Sequence, residues 1–198
     1  MPKPRLSLVL PLLLVLAAAV FRYLKLGQLV SVPALENFAP WMALAFTGTL
    51  VFSKRMPFFV LPLLLVVIDL AATGLKGVMH WEAIAVYGAF GVAAFAASRM
   101  RGQIGLVGSL LGVVGCSLLF YFVTNTVSWF ADPGYAKTFS AWVQALTTGL
   151  PNFTPTIYFL RNSLLSDVAF SCMLLAAYNT EASIRRQETI PLLRTAAV

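Results

Sequence analysis

Long apolar runs alternate with small clusters of basic residues along this 198-residue chain, and that alternation restricts the fold more than any motif does. In lipid every backbone N–H and C=O must find its partner inside the protein, so a spanning run is either a helix or a strand of a closed barrel. A barrel strand alternates polar and apolar residues, and these runs do not. With 60% hydrophobic and 11% charged residues, the chain also has more apolar surface than a soluble domain of its size could bury. It therefore reads as an all-α integral membrane protein whose first partner is the lipid bilayer.

Six runs are long enough to propose as transmembrane helices: Leu6 to Leu24, Phe38 to Phe52, Pro57 to Leu75, Ala83 to Ala97, Gly105 to Val123 and Ser163 to Tyr178. Several fall short of the roughly 20 residues that cross a bilayer upright, so flanking residues must extend them or the bilayer must thin. The first run, with Lys3 and Arg5 ahead of it and Ala17-Ala18-Ala19 near its end, has the look of a secretion signal. Read as a retained span, it gives an even number of crossings and puts both termini on one side. On that side lie nine basic residues (Lys3, Arg5, Lys54, Arg55, Arg99, Arg101, Arg185, Arg186, Arg194), against five on the other (Arg22, Lys25, Lys76, Lys137, Arg161). Positive charge stays inside, so both termini are expected in the cytoplasm of a bacterial inner membrane. The net charge of +7 is then a topology signal, and no nucleic-acid partner is called for.

The organisation expected is one six-helix domain over 1–198, with an outer cap loop at 124–162 and a cytoplasmic tail at 179–198. The inner connections are short and basic. The outer ones are longer and rich in aromatic and neutral hydrogen-bonding residues, and the cap should hold a short helix from about Tyr135 to Leu146 between the turn signals Pro133-Gly134 and Pro151. Asn125, Trp129, Asn152, Thr154 and Tyr158 are candidate binding residues there, although an interfacial aromatic belt would explain several aromatics equally well. Below them, Asp69, Tyr87 and Asp167 share a similar depth within the spans. Buried carboxylates in a membrane face a cavity or a partner, and Arg161 is the nearest cation in the sequence-based topology. Gly108, Gly112 and Cys116, with Ala89 and Ala93, read as close helix packing. Cys116 and Cys172 lie inside spans, which implies no disulfide framework.

The single histidine, His80, sits between two runs in Lys76-Gly-Val-Met-His-Trp-Glu82. One imidazole cannot build a multi-ligand metal site, but it can cap a metal held by a macrocycle. A plain surface histidine is the ordinary alternative. The chain has no Gly-x-x-x-x-Gly-Lys-Ser/Thr loop to power transport by nucleotide hydrolysis, no His-Glu-x-x-His and no Gly-x-Ser-x-Gly. Asn37-Phe-Ala-Pro40 and Asn152-Phe-Thr-Pro155 echo each other too briefly to define a repeat.

Three stretches carry a resemblance: Glu36-Asn-Phe-Ala-Pro-Trp-Met-Ala-Leu-Ala-Phe46, Phe120-Tyr-Phe-Val-Thr-Asn-Thr-Val-Ser-Trp129 and Tyr158-Phe-Leu-Arg-Asn-Ser-Leu-Leu-Ser-Asp167. They are similar to the substrate-binding S-components of energy-coupling-factor (ECF) transporters, and within that group to the BtuM-type solitary vitamin B12 transporters. The resemblance implies an S-component-like six-helix fold and uptake of cobalamin, or a related corrinoid, from the periplasmic face. It also implies that His80 supplies the axial ligand to cobalt where the family carries a cysteine, so thiolate-assisted removal of cyanide is not expected. Trp81, Tyr87, Asn125, Trp129, Asn152, Thr154, Tyr158, Arg161 and Asp69 are the implied ligand-binding set. Ala17, Ala18 and Ala19 lack the Ala-x-x-x-Ala spacing with which S-components meet a shared energising module, so no dedicated ATPase partner is expected. A haem-binding membrane protein, a non-enzymatic membrane scaffold or assembly factor, and an intramembrane hydrolase using His80 are the competing readings.

Overall fold

The computed structural model describes residues 8–29, 39–52 and 56–194. Among these residues the secondary structure is helical throughout. Five helices are long and apolar enough to cross a membrane: α1 (Val9–Leu26), α3 (Val60–Val78), α4 (Trp81–Met100), α5 (Leu106–Ala131) and α7 (Thr156–Ile184). Their exposed faces are leucine-rich, as in α1, where Leu12, Leu13 and Leu16 point outward while Pro11, Val15 and Ala18 form the buried stripe. That inversion is what lipid permits, because hydrocarbon tails are as apolar as the side chains they meet.

The five helices close a ring in the order α1, α3, α4, α5, α7 and back to α1. Inside it runs the second apolar segment, and every residue from Trp41 to Phe52 is buried. This segment is a π-helix over Ala43–Gly48 that tightens into the α-helical turn α2 (Thr49–Val51). Its small residues let the ring approach. A Cβ on Gly48 would lie 2.7 Å from Leu61, and a Cβ on Gly112 would overlap the Phe46 ring. Of the small residues expected at the packing faces, Gly112, Ala89, Ala93 and Cys116 do meet this core, whereas the atoms nearest a Cβ on Gly108 belong to Ile104 of its own chain turn.

A sixth span over Phe38 to Phe52 was the expectation, and the observed element differs. Among the described residues it is a run of about a dozen that protein surrounds, and the helices long and apolar enough to cross a membrane are the five above. Hydropathy responds alike to lipid and to an apolar protein interior.

Charged side chains from the ring close both ends of the segment. Asp167 Oδ1 accepts the N–H of Ala43 at 3.0 Å, and Arg101 Nη2 donates to the Thr49 carbonyl. Negative charge at a helix N-terminus and positive charge at its C-terminus complement the backbone dipole. The same device recurs at α1, where Glu181 Oε2 accepts the Leu10 N–H at 3.0 Å. Asp167, Ser171, Leu174 and Glu181 thus form one buried stripe along α7.

The cap and tail boundaries also shift. α5 continues to Ala131 and α7 begins at Thr156, so the connection is 132–155 and not 124–162. Thr124 and Asn125 looked like loop residues because they are polar. They lie within the helix with their side chains satisfied there, Thr124 Oγ1 donating to the Phe120 carbonyl and Asn125 Nδ2 to the Tyr121 carbonyl, both at 2.8 Å. The short helix expected near Tyr135 to Leu146 is present as α6 (Phe139–Ala145), capped by Thr138. At the other end, α7 runs to Ile184, well into the expected tail. The tail then turns back: the Pro191 and Leu192 carbonyls accept the first N–H groups of α5 from Leu106 and Val107 at 2.9 and 3.2 Å. Both Asn179 side-chain atoms hold the Ile190 backbone in that position.

Candidate functional site

A cavity of about 300 Å³ opens in the half of the bundle nearest α6. Arg22 of α1, Trp41 and Met42 of the buried segment, Val86 and Phe90 of α4, Phe120 to Asn125 along one side of α5, and Phe159, Ser163 and Asp167 of α7 line it. Aromatic rings supply the walls. Phe90 and Phe120 stack at 5.4 Å with 9° between their planes. The polar groups are mostly neutral, which suits a ligand that is itself largely uncharged.

The charges that do reach the cavity are held by the protein. Arg22 pairs with Asp69 through Nε and Nη2, Tyr87 donates to the same carboxylate at 2.8 Å, and the guanidinium lies 4.1 Å from the centre of the Trp41 ring. These contacts join α1, α3, α4 and the buried segment. Asp167 is engaged through both oxygens, capping that segment with one and taking the Ser117 hydroxyl at 2.7 Å on the other. Such satisfaction is what makes a carboxylate tolerable at this depth.

Arg161, the cation expected to serve these carboxylates, does not do so. Its Nε donates to Asn162 Oδ1 at 3.3 Å and its guanidinium sits 5.0 Å from the centre of the Tyr158 ring, on the exposed start of α7. Arg22 takes the role instead. Its position near the end of the first apolar run made it look like a flanking charge, yet a buried cation opposite a buried carboxylate was the missing half of the pattern.

The remaining candidates divide in three. Asn125 lines the cavity, and Asp69 and Tyr87 support its Arg22 edge. Trp129 holds the chain in shape, since its Nε1 donates to the Ala136 carbonyl at 2.9 Å and fixes the turn into α6. Tyr121 and Trp142 do likewise, reaching the Leu146 carbonyl and Thr126 Oγ1. Asn152, Thr154 and Tyr158 are exposed and do not line the cavity, with Asn152 in the left-handed region at φ 71°. The Trp81 side chain lies outside what the structure describes.

His80 precedes α4 and is exposed, away from the cavity lining. Its Nδ1 lies 3.0 Å from Glu82 Oε2. An ionised carboxylate can only accept, so Nδ1 is the donor in this contact, and a carboxylate orients a metal-ligating imidazole in the same way, through the ring nitrogen that does not meet the metal. No cluster of three or more His, Cys, Asp or Glu residues occurs among the described residues. Both cysteines are free thiols.

No curated protein and no solved structure matches the chain. One family does, over residues 2–189, under the description "Family of unknown function". The chain is a member of that family, DUF6580.

Proposed function

We propose that this protein is an S-component-like membrane receptor for uptake of a small molecule, which it takes from the α6 face into the cavity between α1, α4, α5 and α7. The observation that carries this reading is the cavity itself: aromatic walls, neutral hydrogen-bonding groups and charged groups already bonded within the protein, in a bundle otherwise packed for lipid. In this reading the buried segment makes the sixth crossing, running opposite to α1 and α3, and both termini lie in the cytoplasm of the inner membrane. The test is a thermal-stability screen of the detergent-purified protein against small molecules, run beside Thr124→Trp, which fills the cavity. Stabilisation of the parent alone supports the reading; a screen in which no compound separates the two proteins defeats it.

Vitamin B12 is a second reading, favoured by the His80–Glu82 pair. A corrin is several times larger than the cavity, so cobalamin would rest across its mouth with cobalt on His80 Nε2. Imidazole binding changes the axial field, so cobalamin bands should shift with the parent and not with His80→Ala. Identical spectra for the two proteins would remove His80 from cobalt and leave the cavity reading intact.

A further inference from the structure

We infer, on the basis of that cavity reading, that the ligand is a small planar heteroaromatic molecule with a carbonyl or carboxylate oxygen at one edge and an N–H donor at another. The size follows from a volume of about 300 Å³, at the lower end of the range of about 300–1,000 Å³ typical of small-molecule pockets. The flat shape follows from the walls, since Trp41, Phe120 and Phe159 all border the cavity and Phe90 backs Phe120 in a near-parallel stack. Rings packed between rings gain from offset stacking as well as from burial.

The polar pattern follows from which hydrogen-bonding atoms the protein has already used. Arg22 commits Nε and Nη2 to Asp69, which fixes the plane of the guanidinium against Trp41. The two N–H groups on Nη1 have no hydrogen-bond acceptor among the described residues, although Arg22 lines the cavity. They ask for an acceptor oxygen on the ligand. Asn125 gives its Nδ2 to the Tyr121 carbonyl, which leaves Oδ1 as an acceptor facing a ligand donor. Tyr121 and Thr124 spend their hydroxyl protons on the Leu146 and Phe120 carbonyls. A cationic ligand would have to displace existing bonds, because Asp69 faces Arg22 and both Asp167 oxygens already accept hydrogen bonds.

Five matched probes test this on the detergent-purified protein: indole-3-carboxylate, indole-3-carboxamide, 1-methylindole-3-carboxylate, 3-methylindole and tryptamine. The first two carry acceptor and donor, the third lacks the donor, the fourth lacks the acceptor, and the fifth lacks the acceptor and adds a cation. The first two should bind about ten-fold more tightly than the other three, the factor a single unmatched buried hydrogen bond commonly costs. Asn125→Leu should erase the preference for N–H over N-methyl. Arg22→Lys, which keeps a cation for Asp69, should weaken the acceptor-bearing probes about ten-fold while leaving 3-methylindole unchanged. Tryptamine or 3-methylindole binding as tightly as the acid, or no binding by any probe, overturns the inference. The cavity reading itself survives such an outcome if any other compound binds the parent and not Thr124→Trp.

Discussion

Asp167 caps a helix 124 residues away in the chain, its Oδ1 accepting the N–H of Ala43 at 3.0 Å in the middle of the bundle. The contact ties α7 to the buried segment just below the cavity floor. It also gives a carboxylate at that depth a structural partner. Asp167→Ala should cost about 2 kcal/mol or more, the usual worth of hydrogen bonds to a charged group. Asp167→Asn keeps a carbonyl acceptor and should cost less. Thermal denaturation in detergent checks the order; equal losses would mean that the charge, and not the cap, matters.

The Arg22–Asp69 pair gives a second test. Arg22→Leu alone strands a buried carboxylate and should destabilise by about 3–5 kcal/mol, and Asp69→Leu alone should act similarly by stranding the guanidinium. The double substitution should be milder than the sum of the two. A double-mutant cycle measures this directly, and additive losses would show that the two side chains do not interact.

Gly112 offers a packing test. Alanine there would drive a methyl group into the Phe46 ring, inside any tolerable contact. Gly112→Ala should lower stability by about 1–3 kcal/mol, as overpacking usually does. Phe46→Leu in the same protein should restore part of the loss. Failure of that rescue would place the strain elsewhere.

The returning tail is held by Asn179, whose side chain both donates to and accepts from the Ile190 backbone at 3.0 and 2.8 Å. Asn179→Ala should free the tail from the α5 N-terminus. Trypsin should then cut after Arg186 and Arg194 faster than in the parent, while the rest of the helices stay protected. Unchanged cleavage would show that the Pro191 and Leu192 contacts suffice alone.

What could be read in the sequence was the solvent and the five long helices, because leucine runs such as Leu12 to Leu16 have one stable home. The depth of Asp69 and Asp167 was legible too, since the cost of a charge in lipid marks such residues whatever their partners. The partners were not. Pairing Arg22 with Asp69 depends on α1 lying beside α3, which no local pattern states, and Arg161 was nearer only in the sequence-based topology. Polar Thr124 and Asn125 hid the continuation of α5 by looking like loop residues. Glu181 went unnoticed because it follows an apolar run, although its spacing from Asp167 and Ser171 marks one face of a single helix. Asn125 is the one outer-loop candidate that reached the cavity, and Trp129, chosen for its chemistry, turned out to hold a turn together.

Native mass spectrometry of protein purified from its own membrane asks most directly whether the cavity is a ligand site. The parent should carry a small-molecule adduct, or accept one on addition, that Thr124→Trp does not, with both proteins eluting and unfolding as intact bundles. The same adducts on both proteins at the same occupancy would contradict it.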